Sequence, residues 1–391
     1  MITRVRGFGA AGVHCGIKYR KRDLALILSE TPARAAGVFT TNRITGAHIK
    51  IDREKLRRGE AQAIIINSGN ANTCNGKRGL ADAREMCAMV ARELGVPERL
   101  VLCASTGIIG KRLPMAKIRE GIKRLVRRPA NRWEHAARAI MTTDTRMKAA
   151  YREVAIGGKS VRIGAICKGA GMICPRMATM ICIIATDALI TGRLLRRALV
   201  AAVEQSFNRI SVDGDMSTND TVIIMANGRA GNREIREVDG DYRKFERALT
   251  SLCQELARMI VHDGEGASKF IEVRVRGAAN EREAQLIAKA IANSNLVKTA
   301  IFGEDANWGR IVAAAGRSGA RVSERMDITM NGVKVVRHGV STGREDEARE
   351  RLGEEEVMIE VDVKVGKAKG FVWTCDLTYD YITENAAYEG V

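Results

Sequence analysis

Short apolar runs bounded by polar residues or glycine recur along this chain and limit what it can fold into. Runs of this length are typical of β-strands, because an amphipathic helix needs a pattern of about 10–12 residues. Between them, apolar residues recur at helical spacing, as over residues 80–94, where Gly95 follows as a helix stop. The apolar runs are residues 24–28, 36–39, 63–66, 101–104, 181–185 and 222–226. This mixture predicts the α+β class.

The C-terminal part of the chain has a different pattern. From about residue 321, alternating apolar and polar residues predominate, and Asn331-Gly332 joins two such runs. That dipeptide is a strong hairpin signal, because both residues tolerate the positive φ of a tight turn. Upstream, residues 280–292 have helical spacing, with Asn280 at the cap position. We therefore predict a main domain over residues 1–275 and a smaller α/β domain over residues 276–391.

The charge balance raises the question of a nucleic-acid partner. The chain of 391 residues has 64 Lys and Arg against 46 Asp and Glu, a net charge of +18. The basic residues are spread along the chain, and only 4% of residues are aromatic, so a base-stacking surface is not indicated. We predict no nucleic-acid partner. A surface that favours small anionic substrates and a general compositional bias remain as explanations of the charge.

Other classes are excluded by simple patterns. No run approaches the roughly 18 apolar residues of a membrane span, and the N-terminus lacks a signal-peptide core, so a cytoplasmic protein without membrane contact is expected. The nine cysteines form no Cys-x-x-Cys pair, and the five histidines are dispersed. This pattern indicates reduced thiols and predicts no metal site.

Thr179 is the strongest candidate for chemistry. It follows a segment rich in glycine that includes Pro175, and it precedes the apolar run 181–185, so its hydroxyl lies at the mouth of a predicted buried strand. If the Ala178–Thr179 bond breaks, Thr179 becomes N-terminal. Its α-amine, which titrates near pH ~7.7–8.0, then serves as a base for its own hydroxyl.

Several glycine-rich or polar segments are predicted to be loops at strand ends. Residues 67–76 are too rich in Asn and Gly for regular structure. Thr106 and Gly107 follow the run 101–104, where a hydroxyl and backbone N–H groups suit an oxyanion hole, although such a pair alone is usually only a turn. Residues 213–221 have the acid spacing of a cation loop but lack the glycine and glutamate of an EF-hand, which favours a polar loop near the active centre.

Glu265 lies between two glycines just before a predicted strand. Two interpretations stay open for its carboxylate. It is either a solvated loop acid or a partner for a substrate ammonium group.

Taken together, these segments resemble the ornithine acetyltransferase (glutamate N-acetyltransferase) family of arginine biosynthesis. The matching motifs run in the family's order over almost the whole chain, and the block from Lys168 to Ala188 is the most specific. The others are the motifs at 40–42, 67–72, 105–107, 142–145, 212–220, 263–267 and 299–310.

The resemblance implies an N-terminal-nucleophile-like layered α/β sandwich with a smaller C-terminal α/β domain. It also implies a precursor that cuts itself between Ala178 and Thr179. The α chain (1–178) and the β chain (179–391) would then stay together as an α2β2 heterotetramer. The implied site comprises Thr179 as nucleophile, Thr106 and Gly107 as oxyanion hole, and Thr142, Lys168, Thr179, Glu265 and Asn385 as substrate contacts. One departure is Gly390, which stands where the family has a substrate-contacting threonine.

The hypothesised reaction is a ping-pong acetyl transfer from N-acetylornithine to glutamate through acetyl-Thr179. By charge, Lys168 suits a substrate carboxylate and Glu265 the side-chain ammonium of ornithine. No resident cofactor is expected, and the use of acetyl-CoA as a co-substrate stays open. The alternative function is an N-terminal-nucleophile amidohydrolase or aminopeptidase, which would hand the acyl group to water.

Overall fold

The computed structural model describes residues 1–127, 132–174 and 180–386. Helices α1–α11 are Ala47–Lys55, Gly76–Leu94, Met115–Arg127, Trp133–Ile140, Gly192–Glu204, Gly240–His262, Glu281–Ala292, Asn295–Phe302, Trp308–Gly316, Glu345–Leu352 and Tyr379–Ala386. Strands β1–β14 are Phe8–Val13, Leu24–Phe39, Glu60–Asn70, Val101–Ile108, Lys148–Ile156, Lys159–Lys168, Ile181–Thr186, Thr221–Ala226, Phe270–Ala278, Asp327–Met330, Val333–Arg337, Val340–Ser341, Glu356–Asp362 and Ala368–Cys375.

One long strand, β2, joins two halves of the first sheet. The strand order in the described ranges is β4-β3-β2-β8-β7-β6-β5, and β1 also pairs with β2. The first part of β2 pairs with β3, where Leu24 lies opposite Asn67. Its last part pairs with β8, where Phe39 lies opposite Thr221. The two halves therefore share one strand and are free to stack on each other.

Alternate residues of the central strands enter different cores. Ile64, Ile183 and Ile223 belong to one buried cluster, so the inner faces of the two half-sheets pack together. Their neighbours point outward, Ile65 toward α2 and Ile184 toward α5 and α6. Strands buried on both faces explain the continuous apolar runs of the sequence. The layers are helices, sheet, sheet and helices, which confirms the predicted α+β sandwich.

The second sheet belongs to the C-terminal part. Its order is β12-β11-β10-β13-β9-β14, and its core includes α7, α9 and α10. The predicted hairpin is confirmed, because β10 and β11 pair antiparallel and both Asn331 and Gly332 have positive φ. The predicted boundary between residues 275 and 276 falls inside β9. The division into two domains stays a prediction.

Three local predictions were wrong. The apolar runs 24–28 and 36–39 form the single strand β2, β3 continues to Asn70, and residues 105–107 lie within β4. Polar residues are tolerated in these strand ends because their side chains bond to one another. The Ser105 hydroxyl donates to Asn67 Oδ1 at 2.7 Å, and Asn67 Nδ2 donates to the Asn70 carbonyl at 2.9 Å.

Both predicted helix signals hold. Gly95 adopts the left-handed conformation directly after α2, and Asn280 caps α7 by accepting the Glu283 N–H at 2.9 Å. Within the described ranges, no helix combines the length and the apolar character needed to cross a membrane.

Candidate active site

The candidate site is a cavity of about 310 Å³ at the carboxyl ends of β3, β4 and β6. The amino ends of β7 and β8 lie at the same edge, because Lys168 pairs with Ile181 and Ile181 pairs with Thr221. The cavity gathers every predicted site residue that the structure describes, namely Thr106, Gly107, Thr142, Lys168, Glu265 and Asn385. Ala178, Thr179 and Gly390 lie outside the described residues.

A close backbone approach fixes the end of β4. Gly107 has a φ of +128°, and a Cβ there would lie 2.3 Å from the carbonyl carbon of Gly69 on β3. The register between the two strands shifts at the same point, between Gly69 and Asn70. Only glycine fits at position 107. The backbone therefore sets where the Thr106 hydroxyl and the Gly107 N–H lie, and their oxyanion role stays a prediction.

Lys168 brings a buried positive charge into the cavity. It is the last residue of β6, it is 2% exposed, and its Nζ lies 3.5 Å from Thr106 Oγ1. Burial lowers the pKa of Lys168, and the nearby Asp144 carboxylate opposes that shift. At this distance the Lys168 ammonium is positioned to donate to the Thr106 oxygen, which would leave the Thr106 hydroxyl proton for another acceptor.

A buried ion-pair network supports the wall of the cavity that contains Lys168. Asp144 accepts hydrogen bonds from the Gly169 N–H and from Lys148 Nζ, both at 2.7 Å. Lys148 also pairs with Asp263, two residues before Glu265. Burial alone would raise the pKa of Asp144, but the charges of Lys168 and Lys148 lower it to about 2. The network therefore ties the Lys168 and Glu265 segments together.

Glu265 supplies a carboxylate to the same cavity. Its Oε2 accepts a hydrogen bond from Asn385 Nδ2 at 3.0 Å, and its backbone N–H donates to the Ala170 carbonyl at 3.0 Å. A Cβ at Gly171 would lie 2.2 Å from the Glu265 carboxyl carbon. The cavity thus has both an ammonium and a carboxylate group in its walls.

The segment 212–221 holds the chain on both sides of the undescribed residues 175–179. Asp213 accepts the N–H groups of Met172 and Ile173, the latter at 2.9 Å. Asp220 Oδ1 accepts the Met180 N–H at 3.1 Å. Ser217, Thr218 and Asn219 line the cavity, so the predicted polar loop near the active centre is confirmed.

Two residues of that segment, Asn219 and Asp220, are buried in its interior. Asn219 Nδ2 donates to the carbonyls of Ala71 and Ser105 at 2.6 and 2.7 Å, so it ties the ends of β3 and β4 to the segment. Asp220 is completely buried, and burial raises its pKa well above the usual range. Among the described residues, its Oδ2 has no hydrogen-bond partner. Burial therefore favours the neutral form of the Asp220 carboxyl group.

Sequence reasoning missed the roles of Asp144, Lys148, Asn219 and Asp220. Three of them lie inside the recognised motifs, but the motifs carry no information on which side chains meet. Lys148 and Asp263 are 115 residues apart in the chain, and no local pattern announces their pairing.

Comparisons with known proteins agree with this geometry. A profile of the ArgJ family matches residues 9–390. The arginine biosynthesis bifunctional protein ArgJ of Geobacillus kaustophilus is 47% identical over 391 residues, and the match covers 99% of this chain and 95% of that protein. The protein of the same name from Bacillus subtilis is 45% identical over 390 residues, with 99% and 96% covered. The crystal structure of ArgJ from Bacillus halodurans is 47% identical, has a TM-score of 0.51, and matches 53% of this chain and 98% of that chain.

The fold and these matches define the class of protein, an acyltransferase that serves arginine biosynthesis, as the sequence motifs predicted. The family match spans nearly the whole chain, and the relatives are matched over nearly their whole length. The chain belongs to the ArgJ family.

Proposed function

We propose that this chain transfers the acetyl group of N-acetylornithine to glutamate through an acetyl-Thr179 intermediate. One observation carries the proposal. Thr106, Gly107, Lys168 and Glu265 line one cavity at the edge of the sheet where β7 begins, and Met180 is anchored there by Asp220. Residue 179 is covalently next to Met180, which supports Thr179 as the nucleophile for this cavity.

The first half of the cycle acylates the threonine. Thr179 Oγ attacks the acetyl carbonyl carbon, and the hydroxyl proton passes to the free α-amine of Thr179. The oxyanion receives hydrogen bonds from the Thr106 hydroxyl and the Gly107 N–H, and a donor of this kind is typically worth ~2.7–4 kcal/mol. The C–N bond then breaks, the proton passes to the departing amine, and ornithine leaves.

The second half returns the enzyme to its starting state. The glutamate amine attacks the acetyl ester carbon and gives a proton to the Thr179 amine. The C–O bond to Thr179 then breaks, the Thr179 oxygen takes that proton, and acetylglutamate leaves. Because Lys168 donates to Thr106, the Thr106 proton stays available for the oxyanion in both halves.

The charges of the cavity suit amino-acid substrates. The Lys168 ammonium complements a substrate carboxylate, and the Glu265 carboxylate complements the side-chain ammonium of ornithine. Asn385 bonds to Glu265 and keeps its carboxylate oriented. Thr142, whose N–H donates to Asp144 at 3.0 Å, completes the proposed substrate contacts.

Self-cleavage would create the free amine that this mechanism requires. Thr179 Oγ attacks the Ala178 carbonyl, the peptide becomes an ester by an N→O shift, and water hydrolyses the ester. Asp213 and Asp220 hold the flanking chain, which supports a fixed geometry for this step. The products are an α chain of residues 1–178 and a β chain of residues 179–391, which we propose assemble as an α2β2 heterotetramer. The proposed reaction needs no resident cofactor. The relatives are named bifunctional proteins, which supports a second activity, and we propose acetyl-CoA as the second acetyl donor.

The decisive experiment separates transfer from hydrolysis. Purified protein is incubated with N-acetylornithine in the presence and absence of glutamate, and the products are separated by mass. Acetylglutamate that forms only with glutamate supports the transferase. Free acetate in equal amount under both conditions would establish the amidohydrolase instead.

A variant pair tests the nucleophile. Thr179→Ala is expected to abolish both chain cleavage and acetyl transfer, while Thr342→Ala, an exposed threonine of the second domain region, leaves both intact. Intact-mass analysis of the wild type is expected to show a fragment that begins at Thr179. Full activity from a chain that stays uncut would refute the role of the amine.

A further inference from the structure

We call the cavity lined by Thr106, Lys168 and Glu265 the substrate cavity. A second cavity, of about 590 Å³, lies apart from it, over the last part of β2. One wall is the end of α1 and the turn that follows it, and the other is the first half of α5. Its volume falls in the range of small-molecule sites, about 300–1,000 Å³. We call it the arginine cavity, because Arg53, Arg57, Arg193 and Arg196 line it.

The charge in the arginine cavity is unbalanced. Its lining includes four arginines and no Asp or Glu. Arg53 Nη2 donates to the Thr40 carbonyl, but within the described ranges no ion pair joins Arg57, Arg193 or Arg196 to a carboxylate. All four arginines are exposed at the cavity, and the forked donors of a guanidinium group match phosphate oxygens. The cavity therefore favours a multiply charged anion.

Backbone donors add to the same preference. The N–H of Ala35 donates to Gly59 and that of Thr40 to Asp220. Because strand residues alternate, the N–H groups of Gly37 and Phe39 also point away from β8, toward the edge that the cavity covers. At the start of α5, the Thr191 side chain makes no capping bond, and its buried hydroxyl has no partner within the part of the chain that the structure describes. The first N–H groups of a helix suit an anion.

The floor of the cavity is apolar. Val38, Phe39, Leu56 and Val200 contribute to it, and the Arg53 guanidinium lies over the Phe39 ring, 5.7 Å from its centroid. Inorganic phosphate alone would leave this surface in water. An organic group attached to the phosphate would cover it.

We propose that the arginine cavity binds a phosphate-bearing organic anion of nucleotide size. The site is joined to the substrate cavity by a short path. Arg53 bonds to the Thr40 carbonyl at 3.0 Å, and the Thr40 hydroxyl donates to the carbonyl of Ser217, which lines the substrate cavity, at 2.8 Å. A ligand that draws Arg53 toward itself acts on Thr40 and through it on the substrate cavity. This second site does not depend on the proposed acetyl transfer.

The test uses isothermal titration calorimetry on the purified protein near 0.15 M ionic strength, where exposed charges more than about 8 Å apart are screened. The ligands are ADP, coenzyme A, pyrophosphate and adenosine. We expect ADP or coenzyme A to bind at one site per chain, at least ten-fold more tightly than pyrophosphate, and adenosine not to bind. Failure of both ADP and coenzyme A to bind would overturn the proposal. If pyrophosphate binds as tightly as ADP, the claim that the ligand carries an organic group is wrong.

Matched variants locate the site. Arg57→Ala with Arg196→Ala removes one guanidinium from each wall and is expected to weaken binding at least ten-fold. Arg282→Ala with Arg349→Ala removes the same charge from exposed helix positions elsewhere and is expected to change binding less than two-fold. Equal weakening by both pairs would show a general charge effect and reject the site. Displacement of the ligand by saturating N-acetylornithine would place it in the substrate cavity and also reject the site.

Discussion

Gly171 packs directly against the carboxyl group of Glu265. A Cβ at residue 171 would lie 2.2 Å from the carboxyl carbon and equally close to the carboxylate oxygens. Glu265 is also held by Asn385 and by its own N–H bond to Ala170. The glycine at this position therefore determines where the carboxylate lies in the substrate cavity.

Gly171→Ala should displace Glu265 while the fold persists. A misplacement of about 1 Å in a substrate-positioning group costs on the order of 10²-fold in activity, so we expect kcat/KM for N-acetylornithine to fall by about that factor. The control is Gly316→Ala, where no described atom beyond the chain neighbours and the helix's own backbone lies within 4 Å of the added methyl group. Unchanged kinetics in Gly171→Ala would show that Glu265 does not position the substrate.

Gly107→Ala should destabilise the protein more than a matched glycine substitution. At Gly107 the methyl group would meet the backbone of Gly69 at 2.3 Å, whereas Gly110 has positive φ but open space. The left-handed conformation alone costs about 1–2 kcal/mol, and overpacking adds about 1–3 kcal/mol. Thermal denaturation of both variants measures the difference. Equal midpoints would indicate that β3 and β4 separate easily at this point.

Asp220→Asn should be tolerated better than Asp220→Ala. Burial raises the pKa of Asp220 and so favours its neutral form, and an amide keeps an oxygen for the Met180 N–H. Alanine leaves that buried donor unpaired at a cost of about 1–3 kcal/mol. Denaturation midpoints and the extent of chain cleavage are the readouts. A larger loss in the asparagine variant would mean that Asp220 acts as a carboxylate.

Asp144 should contribute to stability above pH ~4 and lose that contribution as the pH falls toward 2. The charges of Lys168 and Lys148 lower its pKa to about 2, below the value of ~3.9 in an unfolded chain. A depressed carboxyl pKa stabilises the folded state above the unfolded pKa, by roughly 2 kcal/mol here.

The comparison of wild type with Asp144→Asn tests this linkage. We expect the variant to be less stable at pH 7, and the gap in denaturation midpoint to narrow as the pH approaches 2. A gap that is constant across this range would show that the ion pairs with Asp144 do not carry the effect.

Patterns local in sequence predicted much of the fold. Apolar runs such as 181–185 and 222–226 became β7 and β8, and the Asn331-Gly332 hairpin and the Asn280 cap formed as expected. The errors fell where polar residues continue a strand. The buried side chains of Asn67 and Ser105 hydrogen-bond to each other. The two residues are 38 positions apart, so a pattern within one segment does not reveal this partner.

The residues of the candidate site were likewise predicted only in part from the sequence. Motif resemblance selected Thr106, Lys168, Glu265 and Asn385, which the structure places around one cavity. It gave no indication that Lys148 joins Asp144 to Asp263, or that Asn219 ties two strand ends together. Those contacts depend on the fold, because the partners come from distant parts of the chain.

The position of β7 has a consequence for the proposed two-chain enzyme. β7 pairs with β6 on one side and β8 on the other, and β8 pairs with β2, so segments from both sides of residue 178 alternate within one sheet. After cleavage, strands β7 and β8 of one chain would lie between strands β2 and β6 of the other chain. The two chains would therefore separate only if the sheet unfolds. Once denaturation has separated the two chains, refolding would require them to associate again, which is a bimolecular step. Recovery from heat should depend on protein concentration more steeply in the cut enzyme than in an uncut Thr179→Ala chain.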